Sequence, residues 1–192
     1  MNLLEVVLVT VILFAALSIV WFTLKTGISP MPSTRLVISQ VCTIIRDIPA
    51  KSIYELGSGW GGLASAIART NNGSAVIGYE LSILPWLFST MRHRITRYPN
   101  LSFVRQNFLE ADLTSADLLI CYLYPDGMLR LSQQLANQQP KALKIISNTF
   151  RLPGYNPTKT IYMQDIYRTP LYLYELSSAD FTGSNLDNGR CK

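Results

Sequence analysis

Apolar positions fall along this chain in three regimes. From Leu3 to Leu24 nearly every residue is apolar, and Glu5 is the one charge. From Arg35 to Thr149 short apolar runs alternate with longer segments whose apolar residues return at helical spacing. From Lys159 to Ser177 two strand-like runs follow one another across the short break Arg168-Thr169-Pro170.

The first regime predicts a transmembrane helix over 3–24. At about 1.5 Å per residue, roughly 22 residues span about 33 Å, close to the thickness of the hydrocarbon layer. Trp21 and Phe22 sit near one end, where amphipathic rings favour the interface. Lys25, Arg35 and Arg46 follow the span and no basic residue precedes it, so the positive-inside rule puts the remainder of the chain on the cytoplasmic side, or the matrix side in an organelle. A cleaved signal peptide would need a basic start and a small-residue cleavage site, and neither is present. Residues 25–33 read as a linker kept extended by Pro30 and Pro32.

The second regime predicts an α/β domain over 34–178. Ser33 or Thr34 caps a helix from Arg35 to Asp47, with Leu36, Val37, Val41, Ile44, Ile45 and Ile48 on its apolar face. Strands are expected at 51–56, 74–80, 101–105, 116–123 and 142–149. Helices are expected at 63–69, 83–97 and 127–138. Such alternation implies a mostly parallel sheet with helices on both faces, binding its ligand at the carboxyl ends of the strands. The runs 159–167 and 171–177 are too close for a helical crossover and should form an antiparallel terminal hairpin. The polar tail 179–192 is expected to fray.

The stretch Glu55-Leu-Gly-Ser-Gly-Trp-Gly-Gly62 is where strand gives way to helix. Glycines there allow both a sharp turn and a close approach of ligand to backbone, and the helix start adds free N–H groups. Gly57, Gly59 and Gly62 fit the dinucleotide fingerprint. Glu55 with Gly57, Gly59 and Gly61 fits the acid-x-G-x-G-x-G loop associated with S-adenosylmethionine. Three features favour the second ligand. Glu55 would offset an ammonium charge but repel a pyrophosphate. The closing hairpin suits that fold, and Asn107 and Phe108 after the third strand are placed to hydrogen-bond and flank an adenine ring. Glu80, about 20 residues past the loop, can accept both ribose hydroxyl protons. No residue set for hydride chemistry is visible.

Composition narrows the picture. With 192 residues there is room for one full domain. Three cysteines, Cys42, Cys121 and Cys191, without paired spacing argue against a disulfide framework or a zinc site, and no metal is expected. The net charge of +5 comes without a dense Lys/Arg run. It suits anionic lipid headgroups near an anchor and gives no expectation of nucleic acid.

These features resemble class I methyltransferases. More narrowly, the chain is similar to the family containing the ATP synthase c-subunit lysine methyltransferases and their prokaryotic relatives. The matching residues are the N-terminal span, Pro30-Met-Pro32, Glu55-Leu-Gly-Ser-Gly59, Gly78-Tyr-Glu-Leu81 with Pro85-Trp86, Asn107-Phe108 and Tyr122-Leu-Tyr-Pro-Asp-Gly-Met128. Trp60 and Gly62 stand where that family commonly has Asp and Arg. The resemblance implies a Rossmann-like methyltransferase sheet behind one transmembrane helix, with S-adenosylmethionine as cofactor. Glu55, Gly57, Ser58, Gly59, Gly61, Glu80, Leu81, Asn107 and Phe108 would bind that cofactor. It also implies methyl transfer to protein lysine, with a membrane protein as a candidate substrate. Tyr124 would orient the amine, and Asp126 either takes a proton or starts the next helix. Methylation of a small lipophilic molecule and a tethered binding role without turnover are the competing readings. Trp86 reads as core or as a cofactor contact, Cys121 as buried packing, and His93 as solvated or lipid-facing. Arg92, Arg94 and Arg97 read as a solvated face near the membrane.

Overall fold

The computed structural model describes residues 2–26 and 33–182, excluding the side chains of 11, 15, 16, 18–26 and 182. After helix α1 (Leu3–Thr26) and α2 (Arg35–Arg46) come β1 (Ser52–Leu56), α3 (Gly62–Thr70), β2 (Ala75–Tyr79), α4 (Ile83–Thr96) and β3 (Leu101–Val104). A single 3-10 turn (Phe108–Glu110) precedes β4 (Leu118–Cys121), α5 (Pro125–Gln138), β5 (Ala142–Asn148), β6 (Lys159–Tyr162), β7 (Pro170–Ser177) and α6 (Ser178–Thr182).

The strands form one seven-stranded sheet in the order β3-β2-β1-β4-β5-β7-β6. Strands β1 to β5 are parallel, and β7 runs antiparallel to both β5 and β6. The expected reversed terminal hairpin is therefore present, with β7 inserted beside β5. Alternation along each strand sorts the core into two layers. Ile53, Val76, Leu118 and Ile120 pack under Val41, Ile45, Leu63 and Ile67 of α2 and α3. Tyr54, Leu56, Leu119 and Ile145 pack under Met128, Leu131 and Leu135 of α5. Each such fully buried aliphatic side chain is worth about 1.5–3 kcal/mol over its exposed state.

Local chemistry sets the boundaries. Thr34 caps α2 by accepting from the Val37 N–H, and α2 stops at Arg46, three residues before Pro49. Pro125 occupies the first turn of α5, so that helix starts two residues earlier than its apolar spacing suggested. The tail departs from expectation at its start. Ser178–Thr182 is helical, capped by Asp180 accepting from the Ser177 N–H, and Phe181 is buried edge-on against Tyr155. An aromatic anchor of this kind offsets fraying. The rest of the tail, with Cys191, lies outside the described residues, as do Pro30 and Pro32 of the linker.

Helix α1 covers the predicted span. Its described large apolar side chains, from Leu3 to Leu17, are all exposed. Trp21, Phe22 and Lys25 are among the side chains outside the description. Taken over the described residues alone, no helix is long and apolar enough to cross a membrane. Helix α4, against which α1 lies, is inverted relative to a normal surface helix. Pro85 and Ser89 face the sheet and are buried, whereas Leu87, Phe88, Met91 and Ile95 face outward. His93 corrects its expectation: it is only half-exposed, with a buried Nδ1 and its ring edge-on to Phe103 at 6.2 Å.

Asp117 holds the amino ends of β1 and β4 together. Its Oδ2 accepts from the N–H groups of Lys51 at 2.7 Å and Ser52 at 2.9 Å. These donors hold its carboxyl below the usual carboxylate range. Asp117→Ala should lower stability by about 1–2 kcal/mol in urea unfolding, since the carboxylate is largely exposed. In wild type this contribution should be present above the unfolded carboxyl pKa, then fade as pH falls through the lowered folded value.

Candidate active site

A cavity of about 500 Å³ opens at the carboxyl ends of the parallel strands, large enough for a nucleoside-sized ligand. Its centre is the loop between β1 and α3. The N–H groups of Gly57 and Ser58 both donate to the Tyr79 carbonyl, at 3.0 and 2.8 Å, so the loop folds back over the end of β2. Glu80 closes the arrangement. Its Oε2 accepts from the Gly59 N–H at 2.8 Å and its Oε1 from the Ser82 N–H at 2.7 Å. The carboxylate thus points into the cleft beside the loop, fixed by backbone donors from two segments.

The glycines do different things. Gly57, Gly59 and Gly61 have φ of 75°, 52° and 71°, in the left-handed region. A Cβ on Gly59 would meet no atom within 4 Å, so this residue borders open cavity. A Cβ on Gly61 would come within 2.6 Å of Phe103 and 2.7 Å of Ser89. Gly61, expected to meet the cofactor, is thus held to glycine by packing. It lets α4 and the Phe103 ring approach the loop, and it is not part of the cavity wall, whereas Gly62 is. Gly78 on β2 is under the same pressure, its absent Cβ lying 2.8 Å from Phe103.

Glu55 is buried in the cavity floor, where Oε2 accepts from the Ala64 N–H at 2.9 Å in the first turn of α3. Burial raises its pKa to about 8; the Ala64 N–H opposes the rise and the nearby Glu80 charge adds to it. Ser58 also lines the cavity, and its Oγ is buried without a hydrogen-bond partner. A neutral acid and an orphaned hydroxyl in one wall fit a ligand that brings its own ammonium and carboxylate.

Residues from the ends of β4 and β5 line the cavity as well. The Tyr124 hydroxyl donates to Asp126 Oδ2 at 3.0 Å, and Arg130 Nε reaches the same oxygen at 2.9 Å. Burial and the Asp126 carboxylate raise the Tyr124 pKa. Asp126 lies in the first turn of α5, so it starts the helix and also holds Tyr124. Tyr122, Asn148 and Phe150 complete this wall. Asn148 and Phe150 were not anticipated. The signal was Asn148 itself, a polar residue closing the apolar run of β5 at the ligand-binding edge. Val37 and Val41 of α2 also line the cavity and had been read only as packing.

The structure thus brings Glu55, Gly57, Ser58, Gly59, Glu80, Leu81, Asn107, Phe108, Tyr124 and Asp126 to one cavity, with Gly61 behind its lining. Asn107 additionally caps the 3-10 turn by accepting from the Leu109 N–H at 3.2 Å. Trp86 is not in the wall. Its indole N–H donates to the Phe103 carbonyl at 3.3 Å, with Arg105 over its ring. Burial pushes the Cys121 thiol up to about 12, which leaves it no nucleophile. Among the described residues no cluster of His, Cys, Asp or Glu could hold a metal ion.

Comparison with known proteins places this geometry. Residues 55–159 match the model of the ANTKMT methyltransferase domain. A protein-lysine N-methyltransferase of Saccharolobus islandicus (strain REY15A) is 23% identical over 138 residues, covering 70% of this chain and 84% of that protein. Among solved structures, an RNA methyltransferase from Salinibacter ruber in complex with S-adenosyl-L-homocysteine superposes with a TM-score of 0.66 at 19% identity, covering 77% of this chain and 94% of its own. Magnesium protoporphyrin IX methyltransferase from Synechocystis PCC 6803 with bound S-adenosylmethionine gives 0.57 at 15% identity, covering 73% and 78%. At these identities the two structures speak to the fold alone.

The two loop glycines should separate stability from ligand binding. Gly61→Ala combines backbone strain with overpacking and should cost roughly 2–4 kcal/mol, lowering Tm by about 5–15 °C. Gly59→Ala should cost about 1–2 kcal/mol from strain alone but weaken ligand binding more than tenfold by filling the cavity. Thermal unfolding and calorimetry of both variants check this; equal melting losses would refute the division of roles.

Proposed function

The chain belongs to the family of ANTKMT methyltransferase domains, and from that premise we propose that it methylates lysine side chains of a protein at a membrane to which α1 anchors it. The enzyme is an S-adenosylmethionine-dependent methyltransferase. The observation that carries the lysine reading is that Tyr122, Tyr124, Asp126 and Phe150 line the same cavity as Glu55 and Glu80. The lysine methyltransferase of Saccharolobus islandicus supports it. The anchor is supported by the exposed apolar side chains of α1, since a helix apolar on all sides belongs in a core or a bilayer.

S-adenosylmethionine, when bound, supplies a methyl group already activated by a positively charged sulfur. The protein's own residues bind, orient and manage protons. Glu80 accepts from ribose hydroxyls while the Gly59 and Ser82 N–H groups hold it in place. Glu55 meets the ammonium and Ser58 the carboxylate of the amino-acid tail. Tyr122, Tyr124 and Phe150 shield an incoming lysine from water, which lowers its pKa and favours the neutral amine. Asp126, half-exposed and shared with Arg130, holds the Tyr124 hydroxyl and lies at the edge where a displaced proton reaches solvent.

Membranes carrying the full chain, incubated with methyl-labelled cofactor, should show label in a protein band that yields methyl-lysine on hydrolysis. Label confined to the lipid extract would sink the protein-substrate reading. Tyr124→Phe should lower kcat about 10- to 100-fold while leaving cofactor affinity unchanged, and Glu80→Ala should weaken cofactor binding at least tenfold in calorimetry.

Binding should also depend on pH through Glu55. The unliganded protein keeps this proton to about pH 8, whereas a bound ammonium favours the carboxylate. Binding then expels a proton and tightens between pH 6 and 8, by at most about tenfold per unit. Glu55→Gln should flatten that profile; a flat wild-type profile would remove Glu55 from the tail site. The same linkage makes the unliganded protein lose stability as pH rises from about 4.5 to about 8, because the unfolded chain gives up the proton first.

A further inference from the structure

The outward face of α4 has no role in the cavity chemistry. On a helical wheel Leu84, Leu87, Phe88, Met91 and Ile95 fall on one side, opposite the buried Pro85 and Ser89. Met91 is 58% exposed and Ile95 83%, although α1 lies against this helix. Arg94 borders the apolar stripe on one side and Arg92 on the other, and Arg97 stands at its carboxyl end. All three arginines are exposed. Among the described residues no carboxylate pairs with them.

We propose that this face of α4 is a lipid-docking surface that seats the catalytic domain on an anionic bilayer. Apolar side chains flanked by arginines have the chemistry of a helix lying in the headgroup plane, with the stripe entering the acyl boundary and the guanidinium groups on lipid phosphates. Unpaired arginines beside the stripe select a negatively charged layer over an apolar protein patch. The surface also continues to the cavity: Phe88 packs edge-on against Trp60 at 5.4 Å, and both Trp60 and Arg92 line the cavity wall. Docking here turns the mouth of the site toward the membrane surface, so the acceptors it reaches are lysines exposed at the bilayer interface. The inference rests on the anchor reading of α1 and narrows the acceptor to that zone.

The test uses the full chain reconstituted in vesicles containing phosphatidylglycerol, with Cys191→Ser and a nitroxide attached through Met91→Cys. A second sample carries the label at the exposed Gln133 on α5, on the other side of the sheet. Collision of the nitroxide with oxygen and with a water-soluble nickel chelate reports its surroundings. At 91 the oxygen collision rate should exceed that of the chelate several-fold, and at 133 the order should reverse. Replacing Arg92, Arg94 and Arg97 by Gln, or using purely zwitterionic vesicles, should shift the 91 label toward the aqueous ratio. An aqueous label at 91 in the anionic vesicles overturns the proposal. So does a label shielded from both reagents, which indicates a protein partner or a second copy on this face. Flotation of the unlabelled chain reports α1 separately: a chain that floats with an aqueous label keeps its anchor and loses this surface, and one that does not float loses both. Neither readout depends on cofactor or methyl acceptor.

Discussion

The arrangement of the site depends on a hydrogen-bonded clasp between two strand ends. Glu80 accepts from Gly59 while the Tyr79 carbonyl accepts from Gly57 and Ser58. The loop after β1 is thereby tied to the residues ending β2, and a turn in left-handed backbone conformation acquires a fixed shape. Burying a carboxylate without hydrogen-bond donors is costly. Here a backbone N–H meets each oxygen at the cavity edge. Loop curvature, the position of the acid and the space left for a ligand are one constraint.

The two carboxylates nearest this clasp have opposite electrostatic situations. Glu80 has backbone donors on both oxygens. Glu55 has one, from Ala64, and sits deeper, so desolvation prevails over the favourable field of the α3 amino end. The result is one fixed acceptor and one acid whose charge awaits a cation. That asymmetry suits a ligand with a neutral sugar at one end and a zwitterionic tail at the other.

Much of the architecture was legible because it depends on periodicity. The alternation of short apolar runs with helical spacing gave the parallel sheet, and the missing crossover between 167 and 171 gave the reversed strand. The acid–glycine loop and Glu80 were legible for the same reason: strand ends are where ligands bind in such sheets. What escaped depends on three-dimensional proximity. Gly61 has the spacing of a ligand glycine, and only Phe103 and Ser89, far along the chain, reveal that it answers to packing. His93 looked solvated between two arginines, yet its position on the wheel turns it toward Phe103. Asn148 was hidden in an apolar run, and Val37 and Val41 reach the cavity only because α2 packs beside α3 over that layer of the core.

Phe103 ends as the quiet partner of this arrangement. Its ring occupies the volume that side chains at 61 and 78 would need. The three positions therefore behave as one packing unit spread over a loop and two strands. Drift at either glycine is blocked while the ring remains, and a shrunken residue at 103 would open a hole beside the turn. Substitutions here are viable only as coordinated exchanges, which makes the edge of the sheet slow to diversify while the aromatic lip across the cleft stays free to change with the acceptor.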